Sequence, residues 1–152
     1  MECNTVTTDP GSAIRLGVEI TVQREVARLI DDSSSGFLGS TFDDVELRNC
    51  IRLDGQWDVR ALTVICAVKG AVCRALRPSL LLPRLDIHVE IDTADQVTMR
   101  WTGAVAAHAA STGIGAPAIS ISHSDRAIAA VCVAPVSAMQ SNLQLTTRQS
   151  TL

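Results

Sequence analysis

Tyrosine is absent from this 152-residue chain, and Phe and Trp together bring the aromatic content to only 3%. Surfaces that stack nucleobases or sugars are built from aromatic side chains, so such platforms are poorly supplied. Lysine occurs once, at Lys69, against twelve arginines scattered singly, and the formal net charge is -3. Without a basic run or stripe there is no electrostatic footprint for nucleic acid. No run of about 18 apolar residues occurs, which argues against a membrane-spanning helix. The five cysteines (Cys3, Cys50, Cys66, Cys73 and Cys132) show no Cys-x-x-Cys spacing. They read as reduced, buried thiols rather than a disulfide framework.

What is present describes a compact intracellular domain. The chain is 47% hydrophobic and 19% charged, with a mean hydropathy of +0.24, enough apolar surface to offset the entropy of ordering. Its length suits one domain with a real core. Residues 1–12 are polar and carry Glu2 and Asp9, unlike a secretory signal, so a cytoplasmic location is expected. An Ala- and Arg-rich, Lys-poor composition suggests a GC-rich bacterial genome. Residues 1–12 and 136–152 read as flexible tails flanking a single domain over 13–135.

Periodicity orders the elements. Ile14, Leu16, Val18 and Ile20 alternate with Arg15, Gly17, Glu19 and Thr21, giving a strand with one apolar face. A short helix over Gln23–Asp31 follows, broken at the Asp31–Gly36 turn. Thr41 is a plausible cap for a helix over Phe42–Cys50. The stretch Gln56–Arg77 reads as a long helix buried through its middle and ended by Pro78. Two alternating segments, Leu85–Ile91 and Val97–Trp101, form a hairpin. An Ala-rich helix over 104–110 and strands over Ala118–Ser122 and Ala127–Val133 complete an α+β domain with a largely antiparallel sheet.

Several residues could carry chemistry. Lys69 sits mid-helix among apolar neighbours, where an ammonium needs an anionic partner or must lose its proton. It reads either as a point charge for a phosphate or carboxylate, or as a lysine snorkelling to the surface. Glu19, on the polar face of the first strand, reads as a metal ligand or base, or as an exposed carboxylate. Ser120-Ile121-Ser122-His123-Ser124 ends a strand in hydroxyls and an imidazole, suited to phosphate binding, acid–base work or a self-satisfying turn. Cys66 and Cys73 share one helix face near Lys69, as nucleophiles or as core. His88 alternates with Asp86 and Glu90 in a stripe that reads as solvated, and His108 has no evident partner.

Taken in order, these segments resemble the holo-acyl-carrier-protein synthases, the small 4'-phosphopantetheinyl transferases. Leu16-Gly17-Val18-Glu19-Ile20 is similar to their opening strand, and Phe37–Phe42 with Val45-Glu46-Leu47 to their second landmark. Cys66–Ala71 lies where the family has an aromatic-Ala-x-Lys-Glu-Ala helix. Leu85–Val89 is similar to its Asp-Ile-x-Val strand, and Ile119–Ser124 with Ala127–Ala129 to its closing Ser-His-Ser/Thr strand pair. The resemblance spans about residues 14–134. It implies an antiparallel sheet on a long central helix, homotrimers with sites between subunits, and transfer of phosphopantetheine from coenzyme A to a carrier-protein serine. It also implies Mg²⁺ held at Glu19 and by the residue after Lys69, with Lys69 neutralising phosphate and Ser122 and His123 contacting the nucleotide.

The departures fall on the site. Glu19 replaces an Asp, Gly70 replaces the helical metal-ligand Glu, Cys66 replaces the aromatic, Ile65 replaces an Arg, and the closing Tyr is missing. Losing one carboxylate leaves a hard cation short of charge and geometry. The site reads as emptied or repurposed, with Cys66, Gly70 and Cys73 opening a pocket beside Lys69. Glu19, Lys69 and His123 remain for acid–base or oxyanion work.

Three functions follow. The first is a diverged protein of bacterial secondary metabolism acting on an acyl or polyketide intermediate, for example as a cyclase, with no cofactor. The second is an active transferase using coenzyme A and Mg²⁺, with Glu19 joined by Asp43, Asp44 or Glu46. The third is a non-catalytic partner of an acyl carrier protein.

Overall fold

A computed structural model describes residues 13–32, 34, 36–77 and 82–137; the expected tail at 1–12, residues 138–152 of the one expected over 136–152, Cys3 and Pro78 lie outside them, whereas Val136 belongs to the last strand. The elements are β1 (Ala13–Val22), α1 (Gln23–Asp31), α2 (Phe37–Thr41), α3 (Asp44–Asn49), α4 (Val59–Leu76), β2 (Ile87–Ile91), β3 (Val97–Trp101), α5 (Gly103–Ser111), β4 (Ala118–His123) and β5 (Ala127–Val136). A 3₁₀ turn over Arg84–Asp86 stands where the sequence suggested the start of β2.

The helix expected over Phe42–Cys50 is shorter, α3 over Asp44–Asn49, and a further short helix, α2, precedes it. Phe42 is extended, with φ -118° and ψ 142°, and the chain restarts at Asp43. Asp43 caps α3 in place of Thr41: its Oδ1 accepts from the amides of Val45 (2.8 Å) and Glu46 (2.9 Å). The Glu46 carboxylate accepts in return from the Asp43 amide (2.9 Å), closing a capping box. Asp58 likewise caps α4 through the Ala61 amide.

α4 is the centre of the fold, buried from Leu62 to Val72. It lies across one face of an antiparallel sheet of order β1-β5-β4. From β5, Ile128, Ala130, Cys132 and Ala134 point into that interface, all at 0% exposure. Small residues bring helix and sheet close together. A Cβ on Gly17 would stand 1.9 Å from the Ala71 carbonyl oxygen and 2.5 Å from the Ala75 nitrogen, so only glycine fits there. The end of α4 is closed by Arg15 Nη1, which donates to Leu76 O (2.8 Å), and by His108 Nε2, 3.2 Å from the same oxygen. β2 and β3 form the expected hairpin, as a separate two-stranded sheet.

The apolar stripe of β1 faces away from this core. Ile14, Leu16, Val18 and Ile20 are 63%, 49%, 45% and 66% exposed. Leu16 pairs with Val133 and Val18 with Val131 on β5, so the outer surface of the β1–β5 pair is a continuous aliphatic face, bordered on β4 by Ser120 and Ser122. An exposed apolar patch of this kind marks an interaction surface.

Candidate functional site

Lys69 does not snorkel to the surface; it meets a carboxylate, as a buried ammonium must, but one of its own chain. It is fully buried, and its Nζ donates to Glu46 Oε2 and to the Thr41 carbonyl, both at 2.7 Å. The ammonium also sits 5.9 Å from the centre of the Phe42 ring. Glu46 is saturated in turn, because Oε1 accepts from the Val89 amide at 2.8 Å. The pair ties α4, α3 and β2 together, and burial without such partners would be prohibitive.

Glu19 lies on the inner face of β1, over Gly70. A Cβ at Gly70 would lie 2.7 Å from Glu19 Cγ and 2.9 Å from Cδ. The longer carboxylate arm therefore fills the room that the missing side chain leaves. Its Oε2 accepts from Arg74 Nε at 2.6 Å, with the Arg74 side chain 62% and the Glu19 side chain 23% exposed. Arg74, one turn beyond Gly70, was missed by the sequence analysis; its partner lies 55 residues away on β1, so no local spacing signalled the pair.

These residues do not fit a magnesium ion. The strand carboxylate is neutralised by a guanidinium, and the helical position offers no donor. Asp43 caps α3, and Glu46 holds Lys69. Among the described residues no group of three His, Cys, Asp or Glu side chains stands close enough to hold a metal.

The pocket expected from Cys66, Gly70 and Cys73 is closed: Cys66 and Gly70 are buried and Cys73 is half-buried. Burial pushes the Cys66 thiol up to about 12, and burial raises Cys73 as well. Neither is a ready thiolate nucleophile. Cys50 and Cys132 are raised by burial too, to about 12 and about 11.

His123 is on β4, apart from both. It lines a cavity of about 170 Å³ with Asp58, Arg60 and Asp95. Ser122 is exposed on the other face of the strand. Ser124 organises the turn, accepting from the Ala127 amide (3.0 Å) and donating to the Ala127 carbonyl (3.1 Å). Within one chain, Glu19, Lys69 and His123 thus occupy three separate environments.

A larger cavity of about 550 Å³ lies between α3 and the β2–β3 hairpin, lined in part by Asp43, Val45, His88, Val89, Met99 and Arg100. His88 on its wall is not simply solvated. Its Nδ1 is 2.6 Å from Asp43 Oδ2 and its Nε2 is 2.9 Å from Thr102 Oγ1. Burial pushes the Asp43 carboxyl up, but hydrogen bonds from the Glu46 amide, His88 and the Val45 amide outweigh it and leave its pKa lowered. Asp43 is therefore ionised at neutral pH.

The architecture is that of the holo-acyl-carrier-protein synthases, as the five sequence motifs suggested. The chain superposes on an apo structure of that enzyme from Chronobacterium ammoniagenes with a TM-score of 0.73 and 24% identity, covering 84% of this chain and 99% of the other. The complex of the same organism's enzyme with coenzyme A gives 0.70 and 26% identity, over 80% and 96%. The holo-ACP synthase from Plasmodium yoelii gives 0.71 and 19%, over 84% and 99%. No protein-family model and no curated protein matches the sequence.

Proposed function

We propose that this chain is a diverged holo-acyl-carrier-protein-synthase-fold protein that no longer transfers phosphopantetheine. In this reading it acts on an acyl or polyketide intermediate of bacterial metabolism, in the cytoplasm, free or bound to an acyl carrier protein. One observation carries the reading: Glu19, Gly70 and Arg74 form a filled, charge-paired site where the enzyme needs an open pair of carboxylates. Phosphoryl transfer depends on charge neutralisation at the moving group, so losing the cation site removes its main source of acceleration. The aliphatic outer face of β1 and β5 supports a homotrimer of the family type, with that face between subunits.

The test is to incubate the protein with coenzyme A, Mg²⁺ and several apo acyl carrier proteins and weigh the carriers by intact mass spectrometry. No phosphopantetheine mass shift is expected. A shift that depends on Mg²⁺ would establish an active transferase instead and overturn the reading.

A further inference from the structure

The cavity between α3 and the β2–β3 hairpin is held open by its own walls. Glu46 Oε1 accepts from the Val89 amide at 2.8 Å, and Asp43 Oδ2 lies 2.6 Å from His88 Nδ1. These two contacts pin the helix to the strand, and the buried Lys69–Glu46 pair anchors the first of them from the core side. The space of about 550 Å³ between the walls is therefore preformed, and its size lies within the range of small-molecule sites. A site that needs no ordering on binding keeps more of its contact energy as affinity.

The charges on the walls fall into two groups. Asp43 and Glu46 are occupied, the one by the α3 cap and His88, the other by Lys69 and the Val89 amide. Asp44, Glu90 and Arg100 line the same cavity, and none of them has an ion-pair or side-chain hydrogen-bond partner among the described residues. Glu90 and Arg100 share one face of the hairpin, because Glu90 stands opposite Thr98 and Arg100 opposite His88. That diagonal is within reach of long side chains, yet no bridge joins the two.

Aliphatic surface lies among these charges. Val45 is 55% exposed on the α3 wall, and the half-buried Met99 lines the hairpin wall. An occupant that covers both is aliphatic in its middle and ionic at its ends. The carboxylates of Asp44 and Glu90 against the guanidinium of Arg100 leave one negative charge in excess. The ligand that balances them carries one anionic and two cationic groups.

We propose that this cavity binds a cationic amino acid of the lysine and ornithine class. Its carboxylate meets Arg100, its two ammonium groups meet Asp44 and Glu90, and its methylene chain lies over Val45 and Met99. Pairs of this kind are charge-assisted and fix orientation as well as affinity. No residue is shared with the Glu19, Gly70 and Arg74 site, and the proposal holds whichever way the transferase test falls.

The isotope-labelled full chain is titrated with L-lysine and followed by its amide NMR shifts. Norleucine, which lacks the second ammonium, and cadaverine, which lacks the carboxylate, are titrated beside it. Saturable shifts centred on Val45, Val89 and Met99 are expected with lysine, and binding roughly tenfold weaker for each analogue, about the worth of one charge-assisted contact. Arg100→Gln should weaken lysine to the level of cadaverine while leaving cadaverine itself unchanged, whereas Glu90→Gln should weaken both. A structural role for either residue would not separate the ligands in this way. Both side chains are exposed, so the substitutions leave the fold intact. No saturable shift with lysine, shifts centred elsewhere, an analogue binding as tightly as lysine, or unchanged lysine binding in Arg100→Gln would each overturn the proposal.

Discussion

Glu19 and Gly70 are two halves of one substitution. The glutamate arm lies where a side chain at position 70 would be, with Cγ 2.7 Å from a Cβ placed there, and its carboxylate is held by Arg74 at 2.6 Å. A change at either position is felt at the other.

That coupling has a sign that can be measured. In a helix interior, Gly→Ala stabilises by about 1 kcal/mol when nothing obstructs the new methyl. Gly70→Ala alone should fall short of this gain or destabilise, because Glu19 must move and loosen its hold on Arg74. In a Glu19→Ala background the same change should be stabilising. Denaturant unfolding of the four proteins gives the coupling directly, and equal effects in both backgrounds would refute it.

Lys69 and Glu46 should behave as a structural pair. Removing one partner strands a buried charge, at a cost of about 3–5 kcal/mol. Lys69→Met and Glu46→Leu should each lower stability by that order, and the double substitution by much less than their sum. Chemical denaturation of the two singles and the double tests this.

Gly17 and Gly39 make a contrasting couple. A Cβ at Gly17 meets helix backbone at 1.9 Å, whereas nothing lies within 4 Å of one at Gly39. Backbone cannot swing aside as a side chain can, so Gly17→Ala should cost about 3 kcal/mol or more. Gly39→Ala, inside α2, should be neutral or slightly stabilising. Melting temperatures of the two variants give the comparison.

Asp43 sets an acid limit. Its pKa is lowered from the ordinary 3.8, so the folded state binds its proton less readily than the unfolded chain. The resulting stability is fully present above 3.8 and is lost as pH falls through the lower folded-state value. The stability difference between wild type and Asp43→Asn should be constant near neutrality and change below about pH 4. A difference that does not vary across the acid range would show that the carboxylate is not specially held.

The outer sheet face predicts assembly. Leu16 and Val18 are about half exposed in the single chain, so Leu16→Glu should leave the fold intact and disrupt any trimer built on this face. Analytical ultracentrifugation of wild type and variant separates a mass change from a folding defect. A monomeric wild type would remove the homotrimer from the proposed function.

The order and type of most elements were legible in the sequence. Alternation in 14–21 and 97–101 and the apolar run around Lys69 are local signals, and the structure keeps them. The failures were long-range. Lys69 finds its carboxylate 23 residues away at Glu46, and His88 finds Asp43 45 residues away; no local pattern encodes either meeting. The α2–α3 break was visible in principle, as Asp43-x-x-Glu46 is a capping-box spacing. β1 carried a correct period with an unstated direction. Gly17 decides it, because only a residue without a side chain can press against α4.

The place of β5 in the sheet bears on how the protein is made. β1 pairs along its whole length with β5, and β4 has no other partner in that sheet. Until Ala127–Val136 has left the ribosome, β1 has no strand to pair with, and its aliphatic stripe waits unpaired while more than a hundred residues are synthesised. Such non-local pairing slows folding and lengthens exposure to chaperones and to neighbouring nascent chains. The sheet therefore assembles only once its last strand has been translated.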